Sequence, residues 1–277
     1  MRTIRLNDGR TVPVIGQGTW HMGEHGRRRV EADALRLGLD LGMTLIDTAE
    51  MYADGGAEEV VAAAIDGRRD DVFIVTKAYP HNAGRDSLPA ACARSLRRLR
   101  TDRIDLYLLH WRGNIPFAET VDAFEALRAA GKIRAWGVSN LDERELDEIV
   151  ALPGGQKCAT DQVLYNPEAR GIEFSLLPWC AAHAMPVMAY TPLGQAGRLL
   201  RAPALVHVAA RHHATPAQVA LAWALRHPHV LVIPKASDAA HVRENAAAEA
   251  LRLDDADIAA IDAAFPPPRR RQRLQML

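Results

Sequence analysis

The chain has 277 residues, of which 48% are hydrophobic and 25% charged, and its formal net charge at pH 7 is zero. This composition is typical of a globular protein with a large core, and the balanced charge gives no electrostatic reason to expect nucleic acid or a membrane as a partner. The sequence shows no apolar run of about 18 residues and no secretion signal, and its cysteines, Cys92, Cys158 and Cys180, lack the spacing of a zinc site or a disulfide framework. We therefore expect a metal-free cytoplasmic protein that is a monomer or a weak oligomer.

Short apolar runs alternate with amphipathic segments along almost the whole chain. Residues 3–12 predict a β-hairpin that turns at Asp8 and Gly9. Eight apolar runs that are typical of strands follow, each succeeded by at least one segment of helical periodicity. The predicted strands are 13–18, 43–48, 72–77, 104–110, 133–140, 158–163, 186–194 and 230–236. The predicted helices are 29–42, 57–66, 87–100, 118–130, 141–151, 175–184, 203–213, 215–227, 238–249 and 254–264.

This alternation predicts an α/β fold with a closed barrel of parallel strands. A helix between two strands returns the chain to the same end of the sheet, so the strands run parallel. Eight such units in about 250 residues fit a (β/α)8, or TIM, barrel with an N-terminal β-hairpin. An open doubly wound sheet is the alternative, but Gly16, Gly18 and Gly23 do not have its G-x-G-x-x-G spacing. No linker is visible, so we expect one domain over residues 1–277, with 265–277 as a flexible tail.

Polar residues stand at the carboxyl ends of the predicted strands, where barrels of this kind carry their chemistry. Asp47, Lys77 and His110 end the second, third and fourth strands, and Tyr52 lies in the loop after the second. Neighbouring strands are about 5 Å apart, so these four side chains can form one cluster. Because a free tyrosine has a pKa near 10, it needs help to act as an acid, and an adjacent ammonium lowers that pKa. We expect Lys77 to tune Tyr52, Asp47 to hold Lys77, and His110 to orient a substrate oxygen or share the proton.

Successive motifs along the chain resemble those of the aldo-keto reductases. They are GQGTW, LIDTAEMY, VTK, DLYLLHW, GVSN, DQVLYN, AYTPLG and IPKA, in this order from residue 16 to residue 236. The segments DTAEMYADGGAEEVV and HVRENAA are similar to the bacterial methylglyoxal-reductase-like branch of the family. The family reduces aldehydes and ketones with NADPH and without a metal. The resemblance therefore implies this reaction, a small carbonyl compound as substrate, and NADPH as cofactor, with NADH as a possible substitute.

The resemblance also implies roles for individual residues. Tyr52 becomes the general acid, Lys77 and Asp47 tune it, and His110 positions the carbonyl. The implied cofactor-binding residues are Gly18, Thr19, Trp20, Ser139, Asn140, Gln162, Tyr190, Thr191, Leu193, Gly194, Lys235, Ala236, Ser237, His241, Glu244 and Asn245. The expected substrate pocket is formed by Trp20, Met51, Tyr79 and Trp111, and the short C-terminal segment is expected to leave it open.

Within the cofactor set, each group of residues has an implied partner on the dinucleotide. Ser139, Asn140 and Gln162 hydrogen-bond the nicotinamide carboxamide, and Tyr190 stacks under the nicotinamide ring. The segment 191–194 wraps the pyrophosphate. Lys235 faces the 2′-phosphate, and the Glu244–Asn245 pair lies near the adenine.

The chain departs from the family pattern where the 2′-phosphate of NADPH would bind. The family has a serine directly after Ile-Pro-Lys and an arginine farther along, and the matching positions here are Ala236 and His241. Arg243 is the near alternative, but it lies two residues after His241. Side chains two positions apart on a helix point about 200° apart, so Arg243 should face the other side. We therefore expect a preference for NADPH that depends on Lys235 and is weaker than in relatives with the arginine.

Two other functions remain open from the sequence alone. A barrel lyase would use Lys77 as a Schiff-base nucleophile, which requires an uncharged lysine in apolar surroundings. Asp47, the expected partner of Lys77, would instead keep the ammonium charged. A non-catalytic regulator would bind NADPH and turn over slowly, and the complete set of four polar residues argues against it.

Overall fold

The computed structural model describes residues 1–24 and 26–277, and it begins with the predicted hairpin. Strands β1 (Thr3–Arg5) and β2 (Thr11–Pro13) are antiparallel, with Ile4 opposite Val12. The N–H of Leu6 donates to the carbonyl of Arg10 at 2.8 Å, which leaves a tight loop of residues 7–9. Gly9 ends this loop at φ 89°, a left-handed conformation that glycine adopts without steric cost. The predicted hairpin is confirmed.

The described residues then form eight parallel strands with helices between them. The strands are β3 (Gln17–Gly18), β4 (Leu45–Asp47), β5 (Phe73–Ala78), β6 (Ile104–Leu109), β7 (Ile133–Ser139), β8 (Asp161–Leu164), β9 (Val187–Tyr190) and β10 (Val230–Val232), paired in chain order. The helices are α1 (Arg28–Asp40), α2 (Gly56–Ala64), α3 (Ser87–Leu99), α4 (Phe117–Ala129), α5 (Glu143–Val150), α6 (Leu176–Ala182), α7 (Pro203–Arg211), α8 (Pro216–Ala224), α9 (Ala239–Ala247) and α10 (Asp255–Ala264). Each predicted strand and helix is present, with ends shifted by a few residues.

The first and last of these strands meet and close the sheet into a barrel. The N–H of Gly16 donates to the carbonyl of Val232 at 2.8 Å, and the N–H of Gly18 donates to that of Pro234 at 3.0 Å. A Cβ at position 18 would lie 2.7 Å from the carbonyl oxygen of Ile233, so only glycine allows this approach. Gly16 and Gly18 therefore serve closure of the barrel, and the prediction of a TIM barrel is confirmed.

The strands are buried on both faces, because the barrel interior lies on one side and the helices on the other. All six residues of β6 are buried. Outside the barrel, the Tyr107 ring packs edge-on against Phe124 of α4, with 5.8 Å between ring centroids, and Trp136 stacks on the same ring at 5.4 Å. This packing fixes the strand ends from which the polar side chains project. Among the described residues, no helix is both long and apolar enough to cross a membrane.

The segment that follows α10 runs along the barrel and reaches its mouth. Arg271 pairs with Asp142 at 3.2 Å and with Glu143 at 2.7 Å, at the start of α5. Met276 and Leu277 line the cavity at the carboxyl ends of the strands. The expectation that this segment contributes little to the pocket is therefore wrong. Of the arginines in this segment, Arg271 has acidic partners on the barrel.

Candidate active site

Four ionisable side chains meet at the carboxyl ends of β4, β5 and β6. The ammonium of Lys77 is fully buried and donates to both carboxylate oxygens of Asp47 at 2.8 Å and to the carbonyl of Thr48 at 2.8 Å. It also donates to the hydroxyl of Tyr52 at 3.3 Å. The ring of His110 stands edge-on to that of Tyr52, with 5.9 Å between centroids. The fold thus brings together all four residues of the predicted cluster.

Strand register explains how Asp47 and Lys77 meet. Val75 of β5 is the register partner of Asp47, and Lys77 lies two residues farther along the strand, so its side chain points to the same face. His110 follows β6 directly, and its N–H donates to the carbonyl of Ala78 at 3.0 Å. Neighbouring parallel strands therefore deliver the three side chains to one place.

Tyr52 is held by a loop with unusual backbone geometry. Ala53 and Asp54 both have φ 51°, a left-handed conformation that costs a non-glycine residue about 1–3 kcal/mol. The buried carboxylate of Glu50 accepts hydrogen bonds from the N–H of Tyr79 at 2.9 Å and from the side chain of Asn82 at 2.8 Å. Glu50 thereby ties the loop that carries Tyr52 to the loop after β5, and this tie helps to hold the left-handed turn.

Burial dominates the electrostatics of the cluster. It raises the pKa of Tyr52 above its ordinary value, and the charge of Lys77 offsets this only in part. Burial opposes the charge of Lys77, but Asp47 and Tyr52 more than offset it, so the pKa of Lys77 is raised. Lys77 therefore lowers the pKa of Tyr52, as expected, but not below the ordinary value, because burial raises it by more. At neutral pH, Tyr52 holds its proton and Lys77 is charged.

The pKa of His110 is lowered, whereas those of Tyr52 and Lys77 are raised. Burial, reinforced by the charge of Lys77, lowers the pKa of His110 to about 2, so the ring is neutral at neutral pH. Its Nδ1 atom is buried and has no hydrogen-bond partner among the described residues. A neutral imidazole can donate a hydrogen bond but has no excess proton to deliver. Of the two roles left open by the sequence, the structure favours orientation of a substrate oxygen.

A cavity of about 600 Å³ opens at the cluster. The side chains that line it after β3, β4 and β6 are Trp20, His21, Met51, Tyr52, His110 and Trp111. Tyr79, which we expected in the pocket, does not line this cavity. Its ring packs edge-on against Trp111 at 6.0 Å between centroids, and Tyr79 therefore supports the pocket wall from behind.

Most of the predicted cofactor-binding residues line the same cavity. They are Gly18, Thr19, Trp20, Ser139, Asn140, Gln162, Tyr190, Thr191, Leu193, Lys235, Ala236, Ser237 and His241. Gly194, Glu244 and Asn245 do not line it; the last two lie on the far turns of α9. His241 reaches the cavity and Arg243 does not, which agrees with the register chosen from the sequence.

Several lining residues were missed by the sequence analysis. They are His21, Gln195, Ala196, Ile233, Pro234, Asp238, Met276 and Leu277. Asp238 is the N-cap of α9: its carboxylate accepts the N–H of His241 at 3.0 Å and pairs with the His241 ring at 2.6 Å. Asp238 is the first residue of the predicted helix 238–249, and an aspartate at a helix start is a recognisable capping signal, so this contact was open to prediction. Met276 and Leu277 carry no such signal, because they reach the cavity only through the path of the C-terminal segment.

The polar groups in and directly after β7, β8 and β9 form a preset network that suits an amide ligand. The side chain of Asn140 donates to the carbonyl of His110 at 3.1 Å. The Tyr190 hydroxyl donates to the Oδ1 atom of Asn140 at 2.9 Å. The Ser139 hydroxyl donates to the carbonyl of Gln162 at 2.8 Å. Gln162 itself donates to Asp47 Oδ1 at 2.7 Å, and its Oε1 accepts no hydrogen bond from the described residues. These residues fit the carboxamide of a nicotinamide ring.

The loop after β9 supplies a candidate pyrophosphate cradle. Thr191, a β-branched residue, has φ 50°, which is rare for such a side chain. Asn166 donates to its carbonyl at 3.0 Å and so holds this conformation. Among the described residues, no group of three or more His, Cys, Asp or Glu side chains could hold a metal ion.

Comparison with known proteins agrees with the fold. The family model of the aldo/keto reductases matches residues 14–265. The chain is 52% identical to methylglyoxal reductase YeaE of Escherichia coli K12 over 281 aligned residues, which cover 100% of this chain and 99% of the relative. A barrel with this strand-end cluster is that of an oxidoreductase acting on carbonyl groups. The chain belongs to the aldo/keto reductase family.

Solved structures of the family superimpose closely on this one. An aldo-keto reductase from Klebsiella pneumoniae in complex with NADPH has a TM-score of 0.98 and 53% identity, covering 100% of this chain and 99% of that chain. A second structure from Klebsiella pneumoniae, in complex with NADP and acetate, has a TM-score of 0.97 and 53% identity, covering 99% of each chain.

Proposed function

We propose that this protein reduces small, uncharged aldehydes and ketones in the cytoplasm, 2-oxoaldehydes such as methylglyoxal among them, with Tyr52 as the proton donor. The chain is an NADPH-dependent aldo/keto reductase. The observation that carries the proposal is the contact of the buried Lys77 ammonium with the Tyr52 hydroxyl, at 3.3 Å, beside the cavity. When bound, NADPH supplies the hydride, so the protein has to provide alignment and one proton.

Each side chain of the cluster has a role that its environment suits. Tyr52 is protonated at neutral pH, since even the ordinary pKa of tyrosine is near 10 and burial raises it further, and it gives its proton to the carbonyl oxygen. The phenolate that this leaves lies against the Lys77 ammonium, which stabilises it. Asp47 keeps that ammonium charged and in place. Neutral His110 donates a hydrogen bond to the carbonyl oxygen and holds it near Tyr52.

The residues lining the cavity support an uncharged substrate. Among the described residues that line it, Lys235 is the only lysine or arginine, and its ammonium donates to Ser237 at 3.1 Å. Near Tyr52 the wall is made of Trp20, Met51 and Trp111. A carboxylate on the substrate would lose water there without gaining a cationic partner, which is costly. A neutral dicarbonyl of the kind named in the Escherichia coli relative meets no such penalty.

The lyase hypothesis receives no support from the state of Lys77. A Schiff-base nucleophile must be an uncharged amine, whereas two oxygens of Asp47 lie 2.8 Å from this ammonium and help to raise its pKa. The regulator hypothesis is not favoured either, because the cluster adjoins a cavity large enough for substrate beside the cofactor residues.

The test is reduction of methylglyoxal with NADPH, together with a matched pair of aldehydes, para-formylbenzoate and its methyl ester. The two share the reacting aldehyde and differ mainly in the charge at the far end. We expect turnover of methylglyoxal and a kcat/KM about tenfold or more higher for the ester, since a buried unpaired charge costs more than about 1.4 kcal/mol. If NADPH is not oxidised with any neutral aldehyde, this result overturns the reductase activity. A higher kcat/KM for the carboxylate would overturn only the substrate class.

A further inference from the structure

We propose that Asp47 also fixes the orientation of the nicotinamide carboxamide, and that it does so through Gln162. This inference rests on the proposed function, because it concerns the same cofactor. It connects the cofactor site to the proton-donating cluster, because Asp47 then acts on the carboxamide through Gln162 as well as on Lys77.

The link is a buried hydrogen bond between residues from opposite sides of the barrel. The Gln162 Nε2 atom donates to Asp47 Oδ1 at 2.7 Å, and both residues are 2% exposed. The same oxygen of Asp47 accepts a hydrogen bond from Lys77 at 2.8 Å. A second contact of the Gln162 amide, to the sulfur of Met188 at 2.9 Å, holds the side chain from another direction.

The chemistry of the two groups decides which end of the amide faces the cavity. An ionised carboxylate only accepts hydrogen bonds, so the NH2 end of the Gln162 side chain has to face Asp47. The carbonyl end is then the free one. Gln162 lines the cavity, and its Oε1 accepts nothing from the described residues. Gln162 therefore offers an acceptor, and no competing donor, to a ligand in the cavity.

The carboxamide of the nicotinamide likewise has a donor end, its NH2 group, and an acceptor end, its carbonyl oxygen. Only its NH2 end can bond to an acceptor, so an acceptor at Gln162 selects one of the two rotational settings of the group. The charge of Asp47 thus acts on the cofactor as well as on Lys77. If position 47 were asparagine, its oxygen would be drawn to the Lys77 ammonium and its NH2 would face Gln162. The Gln162 amide would then turn over and offer a donor to the cavity.

Binding of two oxidised cofactors tests this without any substrate. NADP⁺ carries the carboxamide, and its 3-acetylpyridine analogue has an acetyl group there, which keeps the carbonyl oxygen but has no N–H donor. Quenching of tryptophan fluorescence reports binding, since Trp20 and Trp111 line the cavity. We expect the wild type to bind NADP⁺ about 5- to 10-fold more tightly than the analogue, the worth of one hydrogen bond.

The variants separate the inference from a general loss of affinity. Gln162→Met should bring the affinity ratio of the two cofactors close to one, and Asp47→Asn should do the same or invert it. Tyr52→Phe is the matched control in the same cluster: it leaves the carboxylate of Asp47 and its contact with Gln162 in place, so the ratio should stay at the wild-type value. A ratio near one in the wild type would overturn the inference. So would a wild-type ratio in Asp47→Asn.

Loss of the Asp47 charge leaves Lys77 buried without its anionic partner, and the single variant could fail to fold. The double variant Asp47→Asn/Lys77→Met removes both charges and keeps the volume. It should also bring the ratio close to one, because the new amide at position 47 can then present either end to Gln162. Retention of the wild-type ratio in this variant would overturn the inference. Failure of the wild type to bind NADP⁺ at all would instead overturn the proposed function.

Discussion

We expect Asp238 to weaken the preference of the protein for NADPH over NADH. Its carboxylate caps α9, pairs with the ring of His241 at 2.6 Å, and lines the part of the cavity where Lys235 would meet the 2′-phosphate. An anion at this place repels a phosphate and competes with it for the side chain of His241. Asp238→Asn removes the negative charge but keeps the helix start, since asparagine is an equally good N-cap. We expect this variant to bind NADPH more tightly relative to NADH.

The size of the effect follows from the exposure of the pair. The side chains of His241 and Asp238 are 67% and 49% exposed, so water and salt screen them strongly. Interactions between exposed charges are worth about 0.2–1 kcal/mol, which gives an increase of about 1.4- to 5-fold in the NADH-to-NADPH ratio of dissociation constants. His241→Arg should raise the ratio by about as much. The two changes together should exceed the product of the single effects, because Asp238 no longer competes for the new guanidinium.

The assay is the dissociation constant of each cofactor by fluorescence at low and at moderate salt. The gain should shrink as salt is added, because screening weakens exposed charges. Asp33→Asn is the matched control: Asp33 is an exposed acid on α1 and does not line the cavity. An unchanged or lower ratio in Asp238→Asn would refute the reasoning, and an unchanged ratio in His241→Arg would show that position 241 does not face the phosphate.

Three further predictions concern the cluster, a buried acid and a strained loop. Lys77→Met should lower turnover by about 10²-fold or more, because the phenolate then forms without its cation; a single-turnover rate close to the wild type would contradict this. Asp161 is fully buried, and burial raises its pKa well above the ordinary value, which the backbone N–H of Leu141 offsets only in part. Its neutral form is therefore favoured in the native state, and stability is lost as pH rises above the pKa of the unfolded chain. Asp161→Asn should be more stable to urea at about pH 8 than the wild type and less dependent on pH, and an equal or lower urea midpoint would speak against it. Ala53→Gly should raise the free energy of unfolding by about 0.5–1 kcal/mol, since glycine adopts the left-handed conformation without strain; a lower Tm would show that the loop is not strained.

The barrel and its cluster are predictable because both depend on local pattern. Each apolar run is short, each is followed by a helical segment, and parallel strands must place their ends together. The assignment of Asp47, Lys77 and His110 to one cluster therefore needs only the order and direction of the strands. The family motifs then predict most of the residues that line the cavity.

What the sequence did not reveal depends on packing between distant segments. The periodicity of residues 29–42 predicts a buried face formed by Val30, Ala34, Leu37 and Leu41. Helix α1 buries Ala34, but it also buries Ala32, Leu35 and Leu39 and leaves Val30 49% exposed. Both faces of this helix contain apolar residues, so periodicity alone cannot choose between them. The net pKa of Tyr52 could not be predicted either, because it depends on how deeply the hydroxyl is buried as well as on its neighbour.

The path of the C-terminal segment shows the same limit. Arg271 lies in a run of arginines that is typical of a solvated end, and only the fold reveals that Asp142 and Glu143 stand within its reach. Tyr79 is an example in the other direction, since it was expected in the pocket and does not line it. Its position after β5 suggested a pocket residue, but its ring turns behind Trp111, a detail of packing that no motif encodes.

The most direct test of the account is the Tyr52→Phe variant, measured for both turnover and cofactor binding. The substitution removes one oxygen atom and leaves the ring, the loop and the pairing of Lys77 with Asp47 in place. If Tyr52 delivers the proton, kcat/KM for methylglyoxal should fall by about 10²-fold or more, while the dissociation constant of NADPH stays within about twofold of the wild type. Retention of most of the reductase activity by this variant, with NADPH still bound normally, would show that the proton comes from another group.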